Sequence, residues 1–238
     1  ATTPFFQTAA DLAKIIKKEC DKPIILGGVH ASITKEKSFL PCFDYLFIGE
    51  AEGTFHEFLH SFAEGKEGED VKGIMKRKNG EIVFYGEPGK IRDLDSVPLP
   101  ARHLLKLDMY FVGTLKGTLN YMSLFMSRGC PYKCVFCASD LYGTSVRRRK
   151  IDKVMDELDY IVNDIGLKHV YFLDDTLTLN RRYIYDVCMA IKKRELKFTF
   201  EGSTRANLWD EEMVRLLKEC GLIRISFGLE SADSEGAG

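Results

Sequence analysis

Three cysteines lie close together in the stretch SRGCPYKCVFC, and their spacing is C-x-x-x-C-x-x-C. They are Cys130, Cys134 and Cys137, and a glycine and a proline mark the stretch as a loop. Structural zinc takes four closed ligands, and a cubane iron-sulfur cluster normally takes four cysteines. Three thiolates leave one metal position open, which is typical of a catalytic site. The spacing therefore predicts a metal site whose last position a substrate or cofactor fills.

The other four cysteines do not share this pattern. Each lies alone in an apolar segment, and unpaired cysteine is among the most buried residue types. We expect all four to pack in the core: Cys20, Cys42, Cys188 and Cys220. Because the total of seven is odd and the cysteines are scattered, a disulfide scaffold is not predicted.

Polar residues follow each apolar run in the second half of the chain. The cysteines follow the first run, and the later runs are followed by Asp174 and Asp175, by Glu201, Ser203 and Arg205, and by Glu230 and Ser231. The carboxyl ends of parallel strands are where α/β barrels and open α/β sheets bind ligands. We therefore expect these groups to share one edge of a sheet.

The runs that position these groups alternate with amphipathic segments. YMSLFMS, HVYFLDD, LKFTFEGSTR and LIRISFGLES read as strands, and helices are predicted between them, one beginning after Asn180 and one ending at Gly221. This order predicts an α/β fold with right-handed crossovers and an all-parallel sheet. Residues 121–238 are interpreted as the N-terminal part of a (β/α) barrel.

The first half also alternates helices with strands. FFQTAADLAKIIKKEC predicts a helix, KPIILGG and DYLFIGE predict strands, and Asn79-Gly80 predicts a hairpin turn. Residues 1–85 are interpreted as the C-terminal part of a Rossmann-like domain, and the proline-rich residues 86–120 as a linker to the second domain. RRRK, Arg147 to Lys150, is interpreted as a solvated helix flank.

Composition limits the class of protein. The 238 residues are 45% hydrophobic, and the net charge of -1 provides no general attraction for nucleic acid or for an anionic membrane. No apolar run approaches the roughly 20 residues of a membrane span, and the first residues lack the order of a signal peptide. A cytoplasmic location is therefore expected.

The cysteine loop resembles the signature of the radical S-adenosylmethionine (radical SAM) enzymes, C-x-x-x-C-x-aromatic-C. The match in RGCPYKCVFC includes the aromatic Phe136, and FLDDTLTLN, STRANLWDEEMVRLLKECG and FGLES are similar to later segments of that family. The resemblance implies that Cys130, Cys134 and Cys137 bind a [4Fe-4S] cluster. It further implies that the open iron chelates S-adenosylmethionine and that the reduced cluster cleaves it to methionine and a 5′-deoxyadenosyl radical.

The resemblance also implies which residues hold S-adenosylmethionine. They are Phe136, Asp174, Asp175, Ser203, Arg205, Glu230 and Ser231. The aspartate pair stands where many members of the superfamily have Gly-Gly-Glu, and it resembles the version in the cobalamin-linked subgroup and in methylthiotransferase-like enzymes. An electron donor such as flavodoxin or ferredoxin and a small-molecule or RNA substrate are the implied partners.

ILGGVHAS, DYLFIGEAEGTF and LDSVPLPARHLL are similar to the cobalamin-binding domain and linker of one radical SAM subgroup. The resemblance implies cobalamin contacts from Gly27, Gly28, His30, Gly49, Glu50 and Gly53. The Asp-x-His-x-x-Gly pattern of base-off cobalamin proteins is absent from the sequence. Because both halves hold fewer strands than these folds normally contain, the sequence is interpreted as a fragment.

Three functions stay open at this point. The first is a cobalamin-type radical SAM enzyme that transfers a methyl group or rearranges a carbon skeleton. The second is a methylthiotransferase-like radical SAM enzyme without bound cobalamin. The third is a non-catalytic iron-sulfur module or an inactive fragment.

Overall fold

The computed structural model describes residues 1–114, 117–141 and 143–228. These residues form two compact units, one built from residues 1–92 with 131–145 and the other from residues 93–130 with those from 146 onward. The domain boundaries expected from the sequence stay a prediction. Within the described ranges, no helix is long and apolar enough to cross a membrane.

The first unit contains one four-stranded sheet, and its order is β1-β2-β3-β4. The elements along the chain are α1 (Phe6–Glu19), β1 (Ile25–Leu26), α2 (Val29–Thr34), β2 (Tyr45–Phe47), α3 (Ala51–Ala63), β3 (Ile74–Lys78) and β4 (Glu81–Phe84). Strands β1 and β2 are parallel, as predicted, whereas β3 and β4 are antiparallel to their neighbours. The hairpin turn at Asn79 and Gly80 is confirmed, with φ of 54° and 86°.

The two faces of this sheet bury different side chains because residues alternate along a strand. On one face, Leu46 of β2 packs with Ala10 of α1 and Ala31 of α2. On the other face, Phe47 of β2 packs with Phe58 of α3. Helices therefore cover both faces of the parallel pair, as in a Rossmann-like unit.

The second unit contains an all-parallel sheet, and its order is β12-β11-β10-β7. Its strands and the helices between them are β7 (Met122–Leu124), α4 (Ile151–Asp159), β10 (His169–Phe172), α5 (Arg181–Lys193), β11 (Thr199–Thr204), α6 (Glu211–Glu219) and β12 (Leu222–Phe227). The predicted β-α-β-α-β-α-β order is confirmed. Asn180 caps α5, since its side chain accepts a hydrogen bond from the Tyr183 backbone N–H at 2.8 Å.

Two short strand pairs were not predicted. Within the segment interpreted as a linker, β5 (Phe111–Thr114) pairs with β6 (Gly117–Asn120). After the first parallel strand, β8 (Ser127–Arg128) pairs with β9 (Arg147–Arg148). Both pairs are antiparallel, and β6, β8 and β9 lack the run of apolar residues by which a strand is recognised in a sequence.

Three of the four isolated cysteines are buried, as expected: Cys42, Cys188 and Cys220. The expectation is wrong for Cys20, which is exposed. Cys20 is the residue at which α1 gives way to extended backbone, so it lies past the end of the apolar stripe of that helix.

Candidate functional site

The carboxyl ends of β7, β10 and β11 meet at one edge of the second sheet. Parallel pairing places Leu124 beside Phe172, and Tyr171 beside Glu201. The loops that follow these strands carry most of the polar residues singled out in the sequence. The expected convergence of strand ends is therefore present in this unit.

Asp174 is buried at this edge and holds the backbone that leads to the cysteines. Its side chain is 4% exposed. One carboxylate oxygen accepts a hydrogen bond from the Met126 backbone N–H at 3.0 Å, and the other accepts one from the Ser127 hydroxyl at 2.5 Å. Burial raises the pKa of Asp174 to about 6, and these donors limit that rise.

The next two residues also contact the cysteine loop. The exposed Asp175 accepts a hydrogen bond from the Gly129 backbone N–H, and partial burial raises the pKa of Asp175. Thr176 is buried, and its hydroxyl lies 3.6 Å from the sulfur of Cys130. Three consecutive side chains therefore contact the segment from Met126 to Cys130.

The three cysteines differ in exposure. Cys130 is buried, Cys134 is half-buried and Cys137 is exposed, and none forms a disulfide. A tight turn links the last two, since the Cys137 N–H donates to the Cys134 carbonyl at 3.0 Å. Among the described residues, no three cysteine, histidine or acidic side chains lie close enough to hold a metal ion.

The remaining residues expected to bind S-adenosylmethionine are spread over three segments. Phe136 is 65% exposed in the cysteine loop. Ser203 lies in β11, where its carbonyl accepts a hydrogen bond from the Leu177 N–H at 2.8 Å, and Arg205 follows that strand. Glu230 and Ser231 lie outside the residues that the structure describes.

A buried His–Glu pair lies on β10 and β11. The ring of His169 is 3.2 Å from a carboxylate oxygen of Glu201, and Arg224 of β12 pairs with the other oxygen. His169 and Glu201 are 1% and 2% exposed. Glu201 was expected to follow its strand, but it lies within β11. Neither of its partners could be predicted, because nothing in an isolated strand shows which residue stands beside it.

A second buried charge cluster lies below the carboxyl edge of β7. Arg102 donates to Glu157 of α4 and to the Ser123 carbonyl. Arg149 also donates to Glu157, and its side chain is only 12% exposed. The interpretation of RRRK as a solvated flank is therefore wrong for Arg149, which neutralises a buried carboxylate.

In the first unit, the two predicted glycine loops lie side by side. Gly27 and Gly28 follow β1, and Gly49 follows β2, the parallel neighbour of β1. The Ser32 hydroxyl accepts a hydrogen bond from the Gly49 N–H at 2.9 Å. Gly28 and Gly49 have φ of 96° and 73°, values that favour glycine.

The other residues expected at this edge have varied surroundings. Glu50 is buried at the start of α3, and Gly53 lies in the first turn of α3, where a Cβ would meet no atom within 4 Å. The His30 ring stacks on Phe6 at 4.3 Å, and its Nδ1 lies 3.1 Å from the Thr3 hydroxyl.

Residues 124–237 match the sequence model of the radical SAM superfamily. An uncharacterized methyltransferase of Pyrococcus horikoshii is 33% identical over 236 residues, which cover 98% of this chain and 50% of that protein. The chain therefore spans about half the length of this curated relative.

Two solved structures resemble the chain in fold. One is the radical S-adenosylmethionine methyltransferase TsrM from Kitasatospora setae, solved with tryptophan substrate and a SAM analog. It aligns with a TM-score of 0.75 and 19% sequence identity, and the alignment covers 97% of this chain and 46% of the TsrM chain. The other is the cobalamin-dependent S-adenosylmethionine radical enzyme OxsB, solved with aqua-cobalamin and S-adenosylmethionine. It aligns with a TM-score of 0.73 and 23% sequence identity, and the alignment covers 98% of this chain and 34% of the OxsB chain.

Proposed function

We propose that the chain is the part of a cobalamin-dependent radical SAM methyltransferase that binds a [4Fe-4S] cluster and S-adenosylmethionine, because residues 124–237 match the sequence model of the radical SAM superfamily. A cluster bound at the cysteine loop would supply the electron that cleaves S-adenosylmethionine reductively. The substrate that receives the methyl group is left unassigned.

The cysteine loop at the carboxyl end of β7 is the observation that carries this proposal. Its three thiols form the donor set of a cubane with one open iron. Because metal binding is coupled to folding of the residues that hold the metal, we propose that the cluster orders this loop when it binds.

Four described residues are proposed to hold S-adenosylmethionine, and three of them lie at the carboxyl edge of the second sheet. Asp175 is exposed and negatively charged, so it suits the methionine ammonium group. Arg205 offers a planar guanidinium for a carboxylate. Ser203 lies in β11, and the backbone of Phe136 stands beside the second and third cysteines. These side chains would bind and orient the cofactor.

Cobalamin is proposed to bind the first unit, at the edge where the loops after β1 and β2 meet. Ligands of open α/β sheets bind beyond the carboxyl ends of parallel strands. A Cβ at Gly53 would meet no atom within 4 Å, so a ligand can approach the first turn of α3. The cobalamin bound in OxsB supports the assignment.

The test is reductive cleavage of S-adenosylmethionine. The chain is reconstituted anaerobically with iron and sulfide, reduced, and supplied with S-adenosylmethionine, and the products are measured by liquid chromatography and mass spectrometry. We expect methionine and 5′-deoxyadenosine in equal amounts. A matched Cys134→Ala sample should form neither product. A chain that binds a full cluster but cleaves no S-adenosylmethionine would refute the enzyme function.

A further inference from the structure

We propose that Asp174 is a positioning residue that fixes the first cysteine to the sheet, and that it does not touch S-adenosylmethionine. This inference rests on the proposed function, because it assigns a role within the same site. It departs from the role that the family resemblance implies for the aspartate pair, and it divides the pair between two tasks.

Both oxygens of the Asp174 carboxylate are already used inside the protein. One accepts from the Met126 N–H and the other from the Ser127 hydroxyl. With the side chain 4% exposed, no face of the carboxylate is open to a ligand. A buried carboxylate is tolerated only where donors replace its water, so removing these donors leaves an uncompensated group.

The contact made by Asp174 is one of a series that continues the sheet beyond its strands. The Leu173 N–H donates to the Leu124 carbonyl at 2.9 Å, directly past the last paired residues of β7 and β10. Asp174 then holds Met126, and Thr176 reaches Cys130 at 3.6 Å. The series fixes the height of Cys130 above the sheet, and with it the position of the iron that this cysteine would bind.

Asp175 differs from Asp174 in exposure and in the number of its contacts with the loop. It is exposed, and it makes one hydrogen bond to the loop, from the Gly129 N–H. Its remaining oxygen lone pairs are therefore open to a cationic group of the cofactor. The two neighbouring aspartates are thus a matched pair for separating loop positioning from cofactor binding.

The experiment compares Asp174→Ala, Asp174→Asn and Asp175→Asn with the unsubstituted chain. The readouts are amide hydrogen exchange at Met126, iron and sulfide content after reconstitution, the electron paramagnetic resonance spectrum of the reduced cluster, and the affinity for S-adenosylmethionine. Asp174→Ala should expose the Met126 amide and lower cluster content at least twofold. Asp174→Asn should restore both, since an amide can accept from Met126 and donate to Ser127. Asp175→Asn should retain the cluster and bind S-adenosylmethionine about tenfold more weakly.

The outcomes separate this inference from the proposed function. If Asp174→Asn keeps its iron, spectrum and Met126 protection but binds S-adenosylmethionine tenfold more weakly, Asp174 is a cofactor ligand and the inference is wrong. If the Met126 amide stays protected from exchange in Asp174→Ala, Asp174 does not hold Met126 in place, and the inference is wrong. If the unsubstituted chain takes up no iron, the proposed function fails, while the exchange measurement still decides whether Asp174 holds the loop.

A different observation carries a second proposal, which is independent of the first: we infer that His56 and His60 on α3 bind a divalent transition metal ion. The two residues lie one helical turn apart and are exposed. Their Nε2 atoms are 3.3 Å apart. Two imidazole nitrogens at 2.0–2.1 Å from a tetrahedral zinc are separated by about 3.3–3.4 Å. The two Nε2 atoms therefore already have the separation that chelation of one ion requires.

One glutamate adds negative charge near the pair: Glu52 precedes His56 by one turn and is exposed. Glu64 follows His60 by one turn, but its carboxylate is already paired with Lys66 at 2.8 Å. The two Nε2 atoms lie within hydrogen-bond distance of each other, and a metal ion bound by both would replace that contact. The motif His-Glu-x-x-His, here from His56 to His60, is known from helical zinc sites. No group of three ligands is found in the described ranges, so we propose binding and not hydrolysis.

The probe is Ni²⁺, titrated calorimetrically at pH 7.5 into the full chain with all three loop cysteines replaced by alanine, so that their thiols do not compete. One ion should bind per chain. His56→Ala and His60→Ala should each weaken binding at least tenfold and to the same level, because either change destroys the chelate. His103→Ala is the matched control and should change nothing. Equal affinity in the parent and in His60→Ala, with circular dichroism unchanged, would show that the pair is no metal site.

Discussion

Arg102 and Glu157 form an ion pair inside the second unit, although 55 residues separate them in the chain. Their side chains are 2% and 3% exposed. Glu157 also accepts a hydrogen bond from Arg149, which lies 3.8 Å from the buried carboxylate of Asp95, so two carboxylates balance two guanidinium groups. Arg102 donates as well to the Ser123 carbonyl in β7, the strand that leads to the cysteine loop.

Glu157→Gln should therefore destabilise the chain by about 3–5 kcal/mol, because it removes the carboxylate charge that pairs with the buried Arg102. The neighbouring Asp156→Asn is the control. Asp156 pairs with Arg194 at the surface, where the two side chains are 57% and 33% exposed, and its loss should cost about 1 kcal/mol or less. Urea unfolding measures both values. Equal effects of the two changes would mean that the buried cluster contributes no more than a surface pair.

The three loop cysteines should act as a unit in cluster binding. A cubane that loses one iron ligand is labile, so Cys134→Ala should abolish the broad visible absorption that follows anaerobic reconstitution. Cys188→Ala and Cys220→Ala should retain it, because both thiols are buried in the core, and the hydrogen bond with Cys220 together with burial raises the pKa of the Cys188 thiol. Iron analysis decides the matter, and full iron in Cys134→Ala would contradict the ligand assignment.

Substitution of Arg205 should weaken S-adenosylmethionine binding without loss of iron. Arg205→Ala removes a charge-assisted hydrogen bond to the proposed carboxylate of the cofactor, and we expect about a tenfold lower affinity. Arg194→Ala, on the far end of α5, is the control and should bind normally. Equilibrium dialysis with the reconstituted chain measures the affinity. Unchanged binding in Arg205→Ala would remove this residue from the site.

The stability of the chain should depend on pH through Asp174. Its folded-state pKa of about 6 lies above the ordinary value of 3.8. The folded state thus holds the proton more tightly than the unfolded state, and ionisation opposes folding. Relative to Asp174→Asn, the unsubstituted chain should lose up to about 3 kcal/mol of stability as the pH rises from 4 to 6, and no more above that range. Urea unfolding at several pH values tests this, and an unsubstituted chain that gains stability relative to Asp174→Asn between pH 4 and 6 would contradict the sign.

Gly53→Trp should block cobalamin binding without unfolding the first unit. A Cβ at Gly53 meets no neighbour within 4 Å, so the indole fits outward from α3 and occupies the proposed ligand space. Gly89→Trp is the control, because a Cβ there also meets nothing. Absorbance titration with hydroxocobalamin reports the affinity. Equal affinity in the two variants would place cobalamin elsewhere.

Local sequence signals predicted the order of elements well. The Asn180 cap, the Asn79-Gly80 turn and the four parallel strands all depend on a few neighbouring residues, and all are confirmed. The sequence also identified Asp174, but its partners could not be predicted because Met126 is 48 residues away. The same holds for Arg102, whose burial depends on a helix encountered much later in the chain. Cys20 was misplaced because an apolar neighbourhood in sequence does not show on which side of a helix end a residue lies.

The distance between Met126 and Asp174 along the chain also affects how the protein is made. Ribosomes add about 5–20 residues per second, and Asp174 is synthesised 37 residues after Cys137 (174 − 137). For about 2–7 seconds, all three thiols therefore exist on a nascent chain that lacks the residue fixing their loop. The cysteines are most accessible to binding of another metal ion, and to oxidation, in that interval. Slower translation between the two segments should lower the yield of chain that accepts a cluster.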